Sequence, residues 1–269
     1  MISLPLKQLA FSLIALVFAL GTTSSAQADM GAVMIQNSIN FNSFTMPSVL
    51  ASQTIADTAR RDYERKWGKS GSGGTSKTGA TTGAEPGAKA QANVSPDAPA
   101  FVYTPNAAIS ATMRAEAVAS VKRQYPGNDA MLDNYFAGDV LKKFEAIMRA
   151  NGANARSISD VIAAYALIMY DVAHQHEPSA AEVRSVRLQF ANFLSRDHAA
   201  FKSNESKQKM AEYLAYNAIL IAQADVDLRR AGTAQAKNAV RQTARKSAKG
   251  IGFDVDAVVL TANGFAPRK

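Results

Sequence analysis

Four basic residues at four-residue spacing, Lys237, Arg241, Arg245 and Lys249, share one slowly drifting face if their segment is helical. Arg229, Arg230 and Lys246 add charge, and no acid occurs between Asp227 and Asp254. Such a face attracts phosphates or carboxylates through its long-range field and through charge-assisted hydrogen bonds. The opposite positions, Ala236, Val240, Ala244 and Ala248, are small. They suit close packing on a domain and are too weakly apolar for strong bilayer insertion. The plainer reading is a solvated face. Arg245, Lys246 and Lys249 fall in the last turn, where a cation offsets the helix dipole by about 0.3–1 kcal/mol.

Other residues suggest other chemistry. A glycoside-cleaving site needs two carboxylates across a cleft, and Glu116, Glu145, Glu182 and Glu212 all fall on expected helices. Each reads more simply as a solvent-facing charge or ion-pair partner, and Glu182 has a capping position. Asp171, His174 and Glu177 recur every three residues, a spacing that could hold a metal. His174 and His176 also approach a helix end, where histidine caps carbonyls. His198 completes the histidines. Asn217 lies inside an apolar run, so its amide needs a partner. Tyr165, Tyr170, Tyr213 and Tyr216 could pair with it or line a small pocket; core packing with a polar tip is the simpler reading. No serine-hydrolase elbow, zinc-protease motif or phosphate loop occurs, and no zinc-finger spacing or aromatic RNA-binding signature. A non-catalytic protein without a cofactor is therefore the expectation, with no specific nucleic-acid partner.

The first 28 residues set the expected address. Lys7 precedes an apolar run at 9–20, and Ala26-Gln27-Ala28 forms a small-x-small cleavage site. That pattern reads as a secretory signal peptide, and its apolar run is shorter than the ~20 residues of a membrane span. With Lys7 gone, 29 basic residues face 22 acidic ones, a net charge of +7 that favours anionic partners. The expected location is the periplasm or the outside of the cell. No later run is long enough to span a bilayer; 161–170 is the nearest, bracketed by Asp160 and Asp171. The chain has no cysteine, which excludes disulfides, thiolate nucleophiles and haem attachment through Cys-x-x-Cys-His. Stability must come from apolar burial, for which 47% hydrophobic residues suffice.

Composition divides the remainder. Residues 68–98 hold seven glycines and no aromatic residue, and read as a disordered Gly/Ser/Thr/Ala/Pro-rich linker. The segment 29–67 before it has one plausible helix, 47–67. The compact domain is expected over 99–269. Ile109, Met113, Ala117, Val121 and Tyr125 repeat every four residues, as do Leu132, Phe136, Val140, Phe144 and Met148 before Asn151-Gly152. Ser157 with Asp160 resembles a capping box, and Ser179 with Glu182 is a better one. Thr233 after Gly232 can open another helix. Segments 158–174 and 210–228 are apolar nearly all round and should form the centre. The result is an all-α domain of about six helices around two central ones. The tail 252–265 reads equally as a helical turn or a strand.

Phe101-x-Tyr103-x-Pro105, the helix carrying Arg114, and the closing Gly252-Phe253-Asp254, Leu260-Thr261 and Gly264-Phe265 resemble a family of small secreted bacterial helical proteins of unknown function. The resemblance covers the C-terminal domain. It implies a bacterial source and no activity or functional residue. The expected role is an interaction or envelope-associated protein that meets an anionic envelope component or a partner protein through Lys237, Arg241, Arg245 and Lys249. The alternatives are a cell-wall glycan-cleaving enzyme and a metal or small-ligand binding protein.

Overall fold

The computed structural model describes residues 94–268 apart from 125–126, 128, 131–132, 134–135, 137, 197–200 and 202. The expected signal peptide at 1–28, the segment 29–67 with its expected helix at 47–67, and residues 68–93 of the expected linker lie outside the described residues. So does His198.

Among the described residues the fold is all-α, with six helices and one small hairpin. The helices are Ala107–Gln124 (α1), Val140–Ala150 (α2), Ile158–His174 (α3), Ala180–Arg196 (α4), Asn204–Ala231 (α5) and Ala234–Gly250 (α6). Strands Val258–Thr261 (β1) and Gly264–Pro267 (β2) follow. None of these helices is long and apolar enough to cross a membrane.

The apolar segment 158–174 does become the centre. Every α3 residue from Ile158 to Ala173 is buried. A helix with no solvent face needs neighbours on all sides, and α4, α5 and α6 all pack against it. The long α5 is the second axis: it also carries α1, α2 and α6.

Residues 94–98, read from composition as linker, are instead an edge of the domain. Asn192 accepts from the Val94 amide at 2.9 Å, and Pro96 accepts from the Ser157 hydroxyl at 2.7 Å. Phe101 and Tyr103 are buried beyond them. Their backbone crosses the start of α3: Ile158 N donates to Phe101 O, and Tyr103 N donates to Arg156 O, both at 3.0 Å. Local glycine and proline content says nothing of such long-range bonds.

The caps follow the sequence in part. Ser179 and Glu182 form the reciprocal box, with Glu182 Oε2 accepting from Ser179 N at 2.7 Å. Thr233 caps α6 through Ala236 N. Asn151 ends α2, and Gly152 follows at φ +66°. The Ser157 box does not form. Its hydroxyl is drawn to Pro96, and Asp160 is fully buried. There Asp160 accepts from Asn154 N and takes two 2.8 Å bonds from Arg187 of α4. The four-residue repeat over 132–148 also does not make one helix: Asp139 caps a new start, accepting from Lys142 N at 3.0 Å.

The ambiguous tail is the hairpin. β1 and β2 pair antiparallel, with Thr261 opposite Gly264. Side chains fill both outer edges. The Gln189 amide makes two bonds to the Phe265 backbone, at 2.8 and 2.9 Å, and Leu260 N donates to Tyr170 Oη at 3.2 Å. Exposed edges invite pairing with other chains; here helix side chains answer them.

Removing Arg187 would strand the buried Asp160 carboxylate. Arg187→Ala should cost about 3–5 kcal/mol in urea unfolding. The double variant R187A/D160N should recover part of that loss.

Candidate functional site

The basic segment becomes α6, and its position is set by the turn before it. Only Gly232 and Thr233 separate α5 from α6. A Cβ on Gly232 would lie 2.6 Å from the Leu228 side chain and 2.8 Å from its carbonyl oxygen. Glycine thus permits the close return. Val240, Ala244 and Ala248 are buried, as the small opposite face predicts. Lys237, Arg241 and Arg245 then lie half-buried along the flank, and Lys249 is exposed.

The four cations do not share one environment. Arg245 Nε lies 3.1 Å from both Asp256 oxygens, and its Nη2 donates to Ala173 O at 2.9 Å. That bond satisfies a carbonyl in the last turn of α3. Lys249 Nζ lies 3.6 Å from Asp254. Among the described residues no acid stands within ion-pair distance of Lys237, Arg241 or Lys246. Arg241 Nε is buried and has no hydrogen-bond partner there. The chain has no acid from 228 to 253, yet it folds back after α6 and brings two.

A pair of buried carboxylates, one of which feels Arg241, was missed as a pair by sequence reasoning. Asp171 of α3 and Asp225 of α5 are each 2% exposed. Arg229 bridges them: Nε lies 2.6 Å from Asp225 Oδ2, and Nη2 lies 3.1 Å from Asp171 Oδ1. Gln175 Nε2 adds a 3.2 Å bond to Asp225. Burial pushes the Asp171 carboxyl up to about 6, while the Arg229 guanidinium draws it down and Asp225 and Glu177 add to the rise. Burial also raises Asp225, against the pull of Arg229, Gln175 and Arg241. Asp225-Arg229 was visible in sequence as an i,i+4 pair; the third member comes from another helix.

The remaining candidates disperse. His174 Nε2 lies 3.0 Å from Val255 O and 3.5 Å from Asp256, and His176 pairs with Glu182 at 3.3 Å. Asp171 faces Arg229, so the Asp171–His174–Glu177 spacing does not become a ligand set. Among the described residues no three His, Cys, Asp or Glu side chains could hold a metal ion. Glu145 pairs with Arg149, and Glu116 is exposed. Glu212 is buried: Oε1 accepts from Ser110 at 2.6 Å and Gln208 at 2.8 Å, while Oε2 has no partner among the described residues. Asn217 donates to Tyr213 O at 3.1 Å, within its own helix. Tyr213 interacts with the Asn217 side chain one turn on, and the other three tyrosines serve separate contacts. Tyr165 Oη donates to Ser247 at 3.0 Å, Tyr170 holds the hairpin, and the Tyr216 ring sits 6.1 Å from that of Phe136.

A family model matches residues 7–268, nearly the whole length. The chain belongs to DUF6683, a family of unknown function. The expectation of a family of unknown function is met, and the match spans the N-terminal segment as well as the C-terminal domain. No curated protein and no solved structure matches the chain.

The Asp171 shift has a sign. Its folded value lies above the ordinary carboxylate value, so the unfolded chain releases this proton first as pH rises. Asp171 therefore lowers stability progressively from about pH 4 to pH 7, by about 2–3 kcal/mol in all. The difference in unfolding free energy between the parent and Asp171→Asn should shift against the parent by that order over this range. Urea midpoints at several pH values measure it.

Proposed function

We propose that this DUF6683 protein is an exported, non-catalytic interaction module that meets a phosphate-bearing anionic envelope surface through the corner of α5 and α6. The observation that carries the reading is the pair Lys237 and Arg241, one turn apart and without an acidic partner among the described residues. Arg229 and Arg230 end α5 on the other side of the two-residue turn. Arg245 and Lys249 belong to the same face, but Asp256 and Asp254 offset their charge. The buried apolar side of α6 is turned inward, which favours attraction at a distance over insertion. The apolar run and cleavage pattern at the N-terminus support export.

Co-sedimentation with phosphatidylglycerol vesicles tests this. Each uncommitted cation near an anionic surface contributes about 1 kcal/mol. Lys237→Ala with Arg241→Ala should weaken low-salt binding about 30-fold and leave the melting temperature nearly unchanged. Arg245→Ala with Lys249→Ala should weaken it less. Binding should fall in high salt and be lost on neutral phosphatidylcholine. Equal pelleting of the parent and the Lys237/Arg241 variant sinks the reading.

A further inference from the structure

We propose that the α5–α6 corner is gated by protonation: neutralising Asp171 releases Arg229 from a two-carboxylate clamp and adds one positive charge to a cationic corner, which then grips phosphate more tightly. This rests on the reading of the corner as an anion-binding face and adds its regulation.

The geometry sets two carboxylates against one guanidinium. Asp171 and Asp225 are buried, and both hold the one guanidinium of Arg229. Arg229 spans the boundary, with 39% of its side chain exposed. It is therefore the group through which an interior proton can change the surface. Arg241 is the second cation, acting on Asp225 while its buried Nε lacks a partner. With both carboxylates ionised, Arg229 adds no net charge to the corner. With Asp171 neutral, two guanidiniums face one carboxylate, and the Nη2 bond to Asp171 is free for a phosphate oxygen.

The other charged groups around Asp171 do not take over its part. On α3, His174 is turned to Val255 O and Asp256. Glu177, past the end of α3, adds negative potential at Asp171. On α5, Asp227 accepts from Gln223 and feels Arg230. On α6, Arg245 is committed to Asp256 and Ala173 O. Arg229 is thus the one cation bonded to Asp171 among the described residues. Burial places the Asp171 titration at about 6, within reach of mild acidification.

The test is vesicle binding by the chain from residue 29 onward, with phosphatidylglycerol as probe, at pH 5.0 and pH 7.5 and constant low salt. The parent should bind about fivefold tighter at pH 5.0, the effect of one added net charge at an anionic surface. Asp171→Asn should bind alike at both values, close to the parent's acid level. Equal parent binding at the two pH values overturns the gate, as does an Asp171→Asn variant that keeps the parent's ratio. General charging of other groups would produce that second result. No pelleting at either pH overturns the binding face itself, so the two failures are distinct. A variant-free check guards against misfolding of Asp171→Asn. Calorimetric titration of the parent near pH 6.5, in buffers of different ionisation heat, should read uptake of up to about one proton per bound protein. Zero uptake overturns the gate.

Discussion

The structure depends on one constraint: α3 has no surface. Every position from Ile158 to Ala173 is buried, and two of those positions are aspartates. A buried carboxylate without a partner is costly, so each must be met by a cation from a neighbouring helix. Asp160, near the start, takes Arg187 of α4. Asp171, near the end, takes Arg229 of α5. The same helix that supplies the apolar centre therefore registers α4 and α5 by charge. Its C-terminal carbonyl at Ala173 draws Arg245 from α6 as well.

These pairings are unequal. Arg187 is largely covered and gives Asp160 two bonds in a fork geometry, with Asn154 N as a third donor. Asp160 thus works as a fixed joint. Arg229 is divided between two carboxylates and remains partly in water. Desolvation outweighs its attraction at Asp171, so the joint at this end is responsive to pH. A rigid end and a titratable end on one buried helix give the domain a place where surface charge and interior ionisation are linked.

The tail completes the arrangement. After α6 the chain returns and lays Asp254 and Asp256 against Lys249 and Arg245. It then forms the hairpin whose edges are held by Gln189 and Tyr170. One short segment thus both reduces the positive field of α6 and closes over α4. This leaves Lys237, Arg241 and Lys246 as the α6 cations without an acid in ion-pair distance among the described residues.

Periodicity and turn chemistry alone determined the helical class, the central place of 158–174, the Ser179–Glu182 box, the Thr233 cap and the small inward face of α6. These are local: apolar spacing reports which side of a helix leaves water, and a cap needs only a neighbour three residues away. Only the tertiary structure decided which charges remain available. Nothing local distinguishes Lys237, without an acidic neighbour among the described residues, from Lys249, answered by Asp254. Nor could spacing join Asp171 to Arg229, 58 residues apart, or draw the Ser157 hydroxyl from its helix to Pro96. Coulomb attraction and desolvation depend on distance through space, and the chain brings those groups together only when the buried helix is surrounded.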